Sequence, residues 1–208
     1  DKGNAAHWLA YKSWHDCVDP KSFENHKASN GYFITDEMIE HVSTYLEMLN
    51  TRPGAMEVST SFGNDYFRVN CRADNISIVN NHLYIDDFKY GWRIVEPENN
   101  WTLIAHAIGY CKQTGLTPDK ITFTIFQPRP DHHLGRVRNW EINYFEFSKL
   151  VEQAFNTLSN LNEQLNTGSH CAKCPALATC NAAKMAGMNS IEASAIAHDE
   201  NIDNNVLA

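Results

Sequence analysis

The sequence predicts an α/β (α+β) fold, a mixed sheet with an antiparallel meander flanked by helices. Three observations predict it. Apolar residues recur at helical spacing in several separate stretches, β-rich runs cluster between residues 57 and 89, and a further β-rich run at 121–127 lies between two helical ones. With 208 residues, 43% of them hydrophobic, the chain can bury one sizeable core, so a single compact domain with a small appendage is expected.

Taken in order, residues 3–14 have helical character and carry His7. Over 35–49, Met38, Val42, Tyr45, Leu46 and Leu49 form one apolar stripe, with Thr35 as the N-cap and Asp36 and Glu37 complementing the helix dipole. Pro53 and Gly54 end that pattern. Three strands follow at 57–62, 66–78 with an internal bend, and 83–89, the last two joined by an Asn80-Asn81 turn. Residues 98–111 read as helix and 121–127 as strand. Phe147, Leu150, Val151, Ala154, Leu158, Leu161 and Leu165 then read as one long amphipathic helix. The chain thus divides into a core at 1–167, a cysteine-rich appendage at 168–185 and an Ala-, Asn- and Asp-rich tail at 186–208.

No run approaches the roughly 18–20 apolar residues of a membrane-spanning helix, and the N-terminus lacks a basic-then-apolar secretory pattern. A soluble, cytoplasmic protein with no membrane partner is expected. Because the chain opens at Asp1, without a methionine and directly on a helix-like stretch, an upstream segment is expected to be missing. The formal charge of -8 argues against a general nucleic-acid coat, which works through an excess of Lys and Arg. It is compatible with an enzyme whose cleft carboxylates hold metal ions, because the ions restore attraction to phosphate. Six cysteines in such a chain point to reduced thiols or metal ligation.

The most informative segment joins Asp74 to Asp87 and Lys89, the last two spaced so that both side chains leave one face of a strand while Asp86 and Phe88 leave the other. Asp74 and Asp87 offer hard oxygen ligands for Mg²⁺ or Mn²⁺, with the Phe88 carbonyl as a further oxygen. Lys89 would orient a metal-bound water and offset charge growing on a phosphate. An isolated Asp-x-Lys is ordinarily a solvated strand end, so the context decides.

That context is an ordered set of segments: Gly3-Asn4-Ala5-Ala6-His7, Cys71-Arg72-Ala73-Asp74, Leu83 to Gly91 with Asp87-Phe88-Lys89-Tyr90-Gly91 inside it, Val95 to Leu103, Gln127-Pro128-Arg129, and Cys171 to Cys180. In that order the sequence resembles the RecB-like branch of the PD-(D/E)XK nucleases, and within it a phage and prophage family. The family pattern runs G-T-A-A-H, G-x-A-D, L-x-V-x-D-x-K-Y-G, V-E-A-E-x-N-x-Q-L-x-x-Y-A-L-G, Q-P-R and a cysteine cluster. The resemblance implies a restriction-endonuclease-like core and a metal-dependent deoxyribonuclease, an exonuclease acting on DNA ends in phage recombination or replication within a bacterial host. It implies recombination or replication proteins as partners and leaves the oligomeric state open. It makes His7 a metal or phosphate ligand, against a core helix residue as the ordinary reading. Glu57 is either a further carboxylate of the site or an edge-strand glutamate. The family's Q-x-x-x-Y stands here as Thr102-Leu103-Ile104-Ala105-His106, one helical turn apart; both residues can still donate to phosphate, with a different reach. A catalytically silent DNA-end-binding or assembly module is therefore the alternative.

Cys171, Cys174 and Cys180 form a C-x2-C-x5-C cluster next to His170. The resemblance implies a [4Fe-4S] cluster completed by an upstream cysteine, with Cys17 or His170 as substitutes and Zn²⁺ as the competing metal. Cys71 and Cys111 read as core thiols. Gln127 and Arg129 end a strand, and Arg136 and Arg138 follow in a loop with His132 and His133. This is the densest positive patch, suited either to the DNA backbone or to a solvated loop. Trp92, Trp101 and Trp140 are candidates for stacking on unpaired bases or for the core.

Overall fold

The structure, a computed structural model, describes residues 2–160 and 165–187. It divides into two compact units, Asp1–Asn160 and Leu161–Ala208. In the first, helices α1 (Lys2–Asp16) and α2 (Asp36–Asn50) precede strands β1 (Ala55–Gly63), β2 (Arg68–Val79) and β3 (His82–Phe88). Helix α3 (Trp101–Thr114), strands β4 (Lys120–Phe126) and β5 (Val137–Asn143), and helix α4 (Tyr144–Ser159) follow. The five strands form one sheet in chain order, antiparallel throughout except where α3 carries the chain from β3 to a parallel β4. The expected mixed sheet with a meander and flanking helices is the observed architecture.

Local chemistry sets the elements. Thr35 accepts from the Met38 amide and caps α2, and Asn80 and Asn81 both take positive φ, the requirement of a tight two-residue hairpin between β2 and β3. Asn100 caps α3, which therefore starts at Trp101 and not at Glu98; Gly115 ends it in the left-handed region. Asn143 and Glu146 form a reciprocal capping box that starts α4 at Tyr144, ahead of the expected Phe147. That helix stops at Ser159; Leu165 lies outside it, and Leu161 falls outside the described residues.

The central strands β3 and β4 are buried on both faces. Leu83, Ile85, Ile121, Phe123 and Ile125 pack with Leu103, Ile104 and Ile108 of α3 and with Phe147 of α4. Phe88 and Phe126, paired in register, pack with Leu9 of α1 and with Met38, Val42 and Tyr45 of α2. Gly109 lets α3 approach β1, since a β-carbon there would lie 2.7 Å from Thr60 Oγ1.

Three expectations need correction here. Strand β2 runs unbroken from Arg68, and Tyr66 belongs to the preceding turn, where Asn64 Oδ1 accepts from its amide. Lys89 lies one residue past β3, although its amide still donates to Phe126 O at 2.9 Å. The segment after Arg136, expected as loop, is strand β5, an edge strand whose alternation is hidden by Arg138 and Asn139.

Candidate metal centre

Strands β2 and β3 pair from Asn75 opposite Asp86, which sets Asp74 and Asp87 side by side just beyond the ladder. Asp74 Oδ2 accepts from the Phe88 amide at 2.7 Å, a bond that crosses between the strands where the ladder stops. Its other oxygen, Oδ1, lies 3.5 Å from His7 Nδ1 on α1. The Lys89 ammonium sits against Asp87, 2.8 Å from Oδ1 and 2.7 Å from Oδ2. Period-two geometry thus brings the two side chains into contact on one face, as the spacing of the sequence requires.

Glu57 completes the arrangement from β1. It adopts φ of 54°, a left-handed conformation inside a strand, between the ladder pairs Met56–Asn75 and Val58–Ala73. Such a backbone costs on the order of 1–3 kcal/mol for a non-glycine residue and is held by its surroundings. His7, Glu57 and Asp74 each offer an atom within 4.8 Å of the others, the one such group of His, Cys, Asp and Glu among the described residues. The three open on a cleft of about 740 Å³ between α1 and the β1–β2 hairpin. Arg72, exposed at the cleft wall, bonds Glu57 at 2.9 Å.

The electrostatics are those of a crowded anionic site. Burial pushes Asp87 up from the usual carboxylate range, and the neighbouring Asp74 adds to it despite Lys89. Burial works against ionised Asp74 too, but His7, the Phe88 amide and Lys89 outweigh it and hold its carboxyl low. For His7, burial disfavours the cation, yet the hydrogen bond and charge of Asp74, with Asp87 and Glu57, raise its pKa. Two carboxylates and an imidazole provide oxygen and nitrogen donors that could hold a divalent cation.

The whole chain, residues 1–208, matches the family model described as "Protein of unknown function (DUF2800)". The chain belongs to the DUF2800 family. Among solved structures it is similar to SSO0001, at 17% identity over 86% of this chain and 82% of that one, with a TM-score of 0.37. It is also similar to a protein from Eubacterium rectale described as a candidate exonuclease, at 11% identity over 84% of this chain and 81% of that one, TM-score 0.37.

The residues expected to contact DNA in this DUF2800 protein separate into two groups. Gln127 and Arg138 are buried, and their polar atoms bond each other at 2.7 Å. Gln127 also donates to Gly91 O and Arg93 O, and Arg138 to Val95 O and Gly135 O. They brace the loop after Lys89 and, buried there, do not face a nucleic-acid backbone. Arg129 is sandwiched against Tyr90 and Trp92 and pairs with Glu37, while Arg136 lies 3.6 Å from Glu40. Thr102 is exposed at the start of α3; His106 is buried, and burial holds its pKa down. Trp140 stacks on Phe123, whereas Trp92 and Trp101 are exposed.

The sequence reading missed Arg52, Asn75 and Arg72. Asp86 is fully buried and accepts from Arg52 and from Asn75 Nδ2, the latter at 2.9 Å, so the neighbours of Asp74 and Asp87 are bonded across the two strands. Nothing in the sequence signals a pair 34 residues apart.

Within the second unit, Cys171, Cys174 and Cys180 lie on short turns, with Cys174 exposed and Cys171 Sγ accepting from the Gly168 amide at 3.4 Å. Among the described residues these thiols form no metal-ligating group with one another or with His170. Cys17, at the end of α1, is exposed; Cys71 and Cys111 are partly buried thiols whose pKa values burial raises. All but the first two residues of the tail at 186–208 lie outside the described residues. No helix among the described residues is long and apolar enough to cross a membrane.

Proposed function

We propose that this chain is a divalent-metal-dependent DNA nuclease of the PD-(D/E)XK class, an exonuclease that processes DNA ends in phage recombination or replication. The observation that carries the reading is the convergence of Asp74, from β2, with the Asp87–Lys89 pair at the end of β3, beside His7 and Glu57. The meander, crossover helix and parallel fourth strand support it as the frame such a site requires.

His7, Glu57 and Asp74 would hold the ion, with Asp87 and the Phe88 carbonyl as further oxygen donors. When bound, Mg²⁺ or Mn²⁺ supplies a Lewis acid and an acidified water. Asp87 holds the Lys89 ammonium in place; Lys89 then orients the water and offsets charge that grows on the phosphate. His7 serves as a neutral imidazole donor, so its proton must leave before it can ligate. Thr102, Arg129 and Arg136 remain the residues proposed to steady the DNA backbone.

A second reading, a silent DNA-end-binding or assembly module, is favoured by one observation: His106, in the position expected to face DNA, is buried. End-labelled DNA incubated with the full chain and Mg²⁺ or Mn²⁺ separates the two. The nuclease reading expects digestion that falls by about 10²-fold or more in Lys89→Ala and Asp87→Ala. Binding without digestion, or digestion unchanged in both variants, overturns it. The cysteine loop is proposed as a separate structural metal site, iron–sulfur or zinc, to be tested by metal analysis and visible absorption of protein purified without oxygen.

A further inference from the structure

Helix α1 turns one face towards the cleft, and that face is not acidic. Asn4, His7, Trp8 and Tyr11, spaced at 3, 4 and 7 residues from the first, all line it. Of these, Tyr11 is exposed and Trp8 partly so. Trp8 meets Phe23 edge-on at 5.5 Å and packs partly against the core between α1 and α2, and Tyr11 rests against His15 at 5.5 Å, so each ring has an aromatic neighbour. His7, 3.5 Å from Asp74, is the neighbour of Trp8 in sequence and stands one helical turn before Tyr11, and all four residues line the same cleft.

Permanent positive charge, by contrast, is scarce there. Among the described lining residues Arg72 is the one Lys or Arg, and it is tied to Glu57. The basic loop lies further along the sheet, where Arg129 and Arg136 line a different cavity and Arg138 is buried near Glu96. Duplex binding draws its affinity from many phosphate contacts, each needing a cation free to make it. Unpaired strands add to such contacts the stacking of their exposed bases on aromatic side chains, which the bases of a duplex, already stacked on one another, do not offer.

We infer that Trp8 and Tyr11 form a base-stacking subsite, and that the nucleic acid taken into this cleft is an unpaired DNA strand whose base rests on α1 while its phosphate lies at His7, Glu57 and Asp74. The position of the phosphate rests on the nuclease reading; the stacking subsite does not. Stacking preference is sequence-tolerant, because every base has a π-face.

The test is fluorescence anisotropy of a labelled single-stranded oligonucleotide and of the blunt duplex of the same sequence, with the full chain in chelator and again in Ca²⁺. The single strand binds more tightly. Tyr11→Leu weakens that binding on the order of ten-fold and Tyr11→Phe restores it, because the ring and not the hydroxyl does the stacking. Tryptophan emission is quenched by the single strand in the wild type and much less in Trp8→Phe. Equal or tighter binding of the duplex, or affinity indifferent to Tyr11→Leu, overturns the inference. Binding that depends on Tyr11 in a chain that digests no DNA would remove the nuclease reading and leave the subsite; digestion indifferent to Tyr11 would do the reverse.

Discussion

Replacing Arg52 with Met tests how the two carboxylate-bearing strands are locked together. Asp86 is fully buried and Arg52 is 16% exposed, so the charges face each other with little water between them. Without Arg52 the carboxylate keeps Asn75 Nδ2 as its side-chain donor, and an uncompensated buried charge costs about 3–5 kcal/mol. The guanidinium also lies 4.7 Å over the Tyr84 ring, a contact the variant loses with the charge. Urea unfolding at neutral pH measures the effect. Against a typical domain stability of about 5–15 kcal/mol, the midpoint should fall steeply with the slope unchanged. Arg52→Met combined with Asp86→Leu should recover most of the loss, because no buried charge is then left alone. A single-variant loss under about 1 kcal/mol, the value of a solvated surface pair, would refute the reasoning.

The His7–Asp74 pair gives a pH signature. His7 is raised, so its contribution is complete below its unfolded value of 6.5 and is lost as pH climbs through the folded value. Asp74 is lowered, so its contribution is complete above 3.8 and is lost only as pH falls through its folded value. Asp87, raised, has the opposite sense to Asp74 and costs stability as it ionises. The Tm difference between the metal-free wild type and His7→Gln should therefore be largest between these two values and shrink above neutrality; a difference that grows from pH 6 to 9 would contradict it. Gly109→Ala drives a methyl to 2.7 Å from Thr60 Oγ1 and 3.1 Å from the Ser61 amide, and should cost about 1–3 kcal/mol by calorimetry as α3 lifts from β1. Phe88→Ala, which empties the space between Tyr45, Tyr90 and Phe126, should cost about 3–5 kcal/mol in the same measurement.

Much of this was legible in the sequence because it is local. The Thr35 cap, the stripe from Met38 to Leu49, the Asn80-Asn81 turn and the spacing of Asp87 and Lys89 are set by chemistry within a few residues. What stayed hidden depends on partners far along the chain. Arg138 looks like a loop cation until Gln127 and the carbonyls of Val95 and Gly135 supply its acceptors, and edge strand β5 was missed with it. The left-handed φ of Glu57 follows from the strands that grip it, and no residue type in Met56-Glu57-Val58 announces it. His106 sits one turn from exposed Thr102 yet is buried, a difference helical spacing cannot register.

Titration of the chelator-treated chain with Mn²⁺, followed by calorimetry and by the loss of the free-ion paramagnetic signal, asks whether His7, Glu57 and Asp74 form one cation site. The expected site tightens as pH rises past the His7 pKa and disappears in Asp74→Asn and Glu57→Gln while both variants stay folded. Wild-type protein that takes up no Mn²⁺, or variants that bind it as tightly as the wild type, would contradict it.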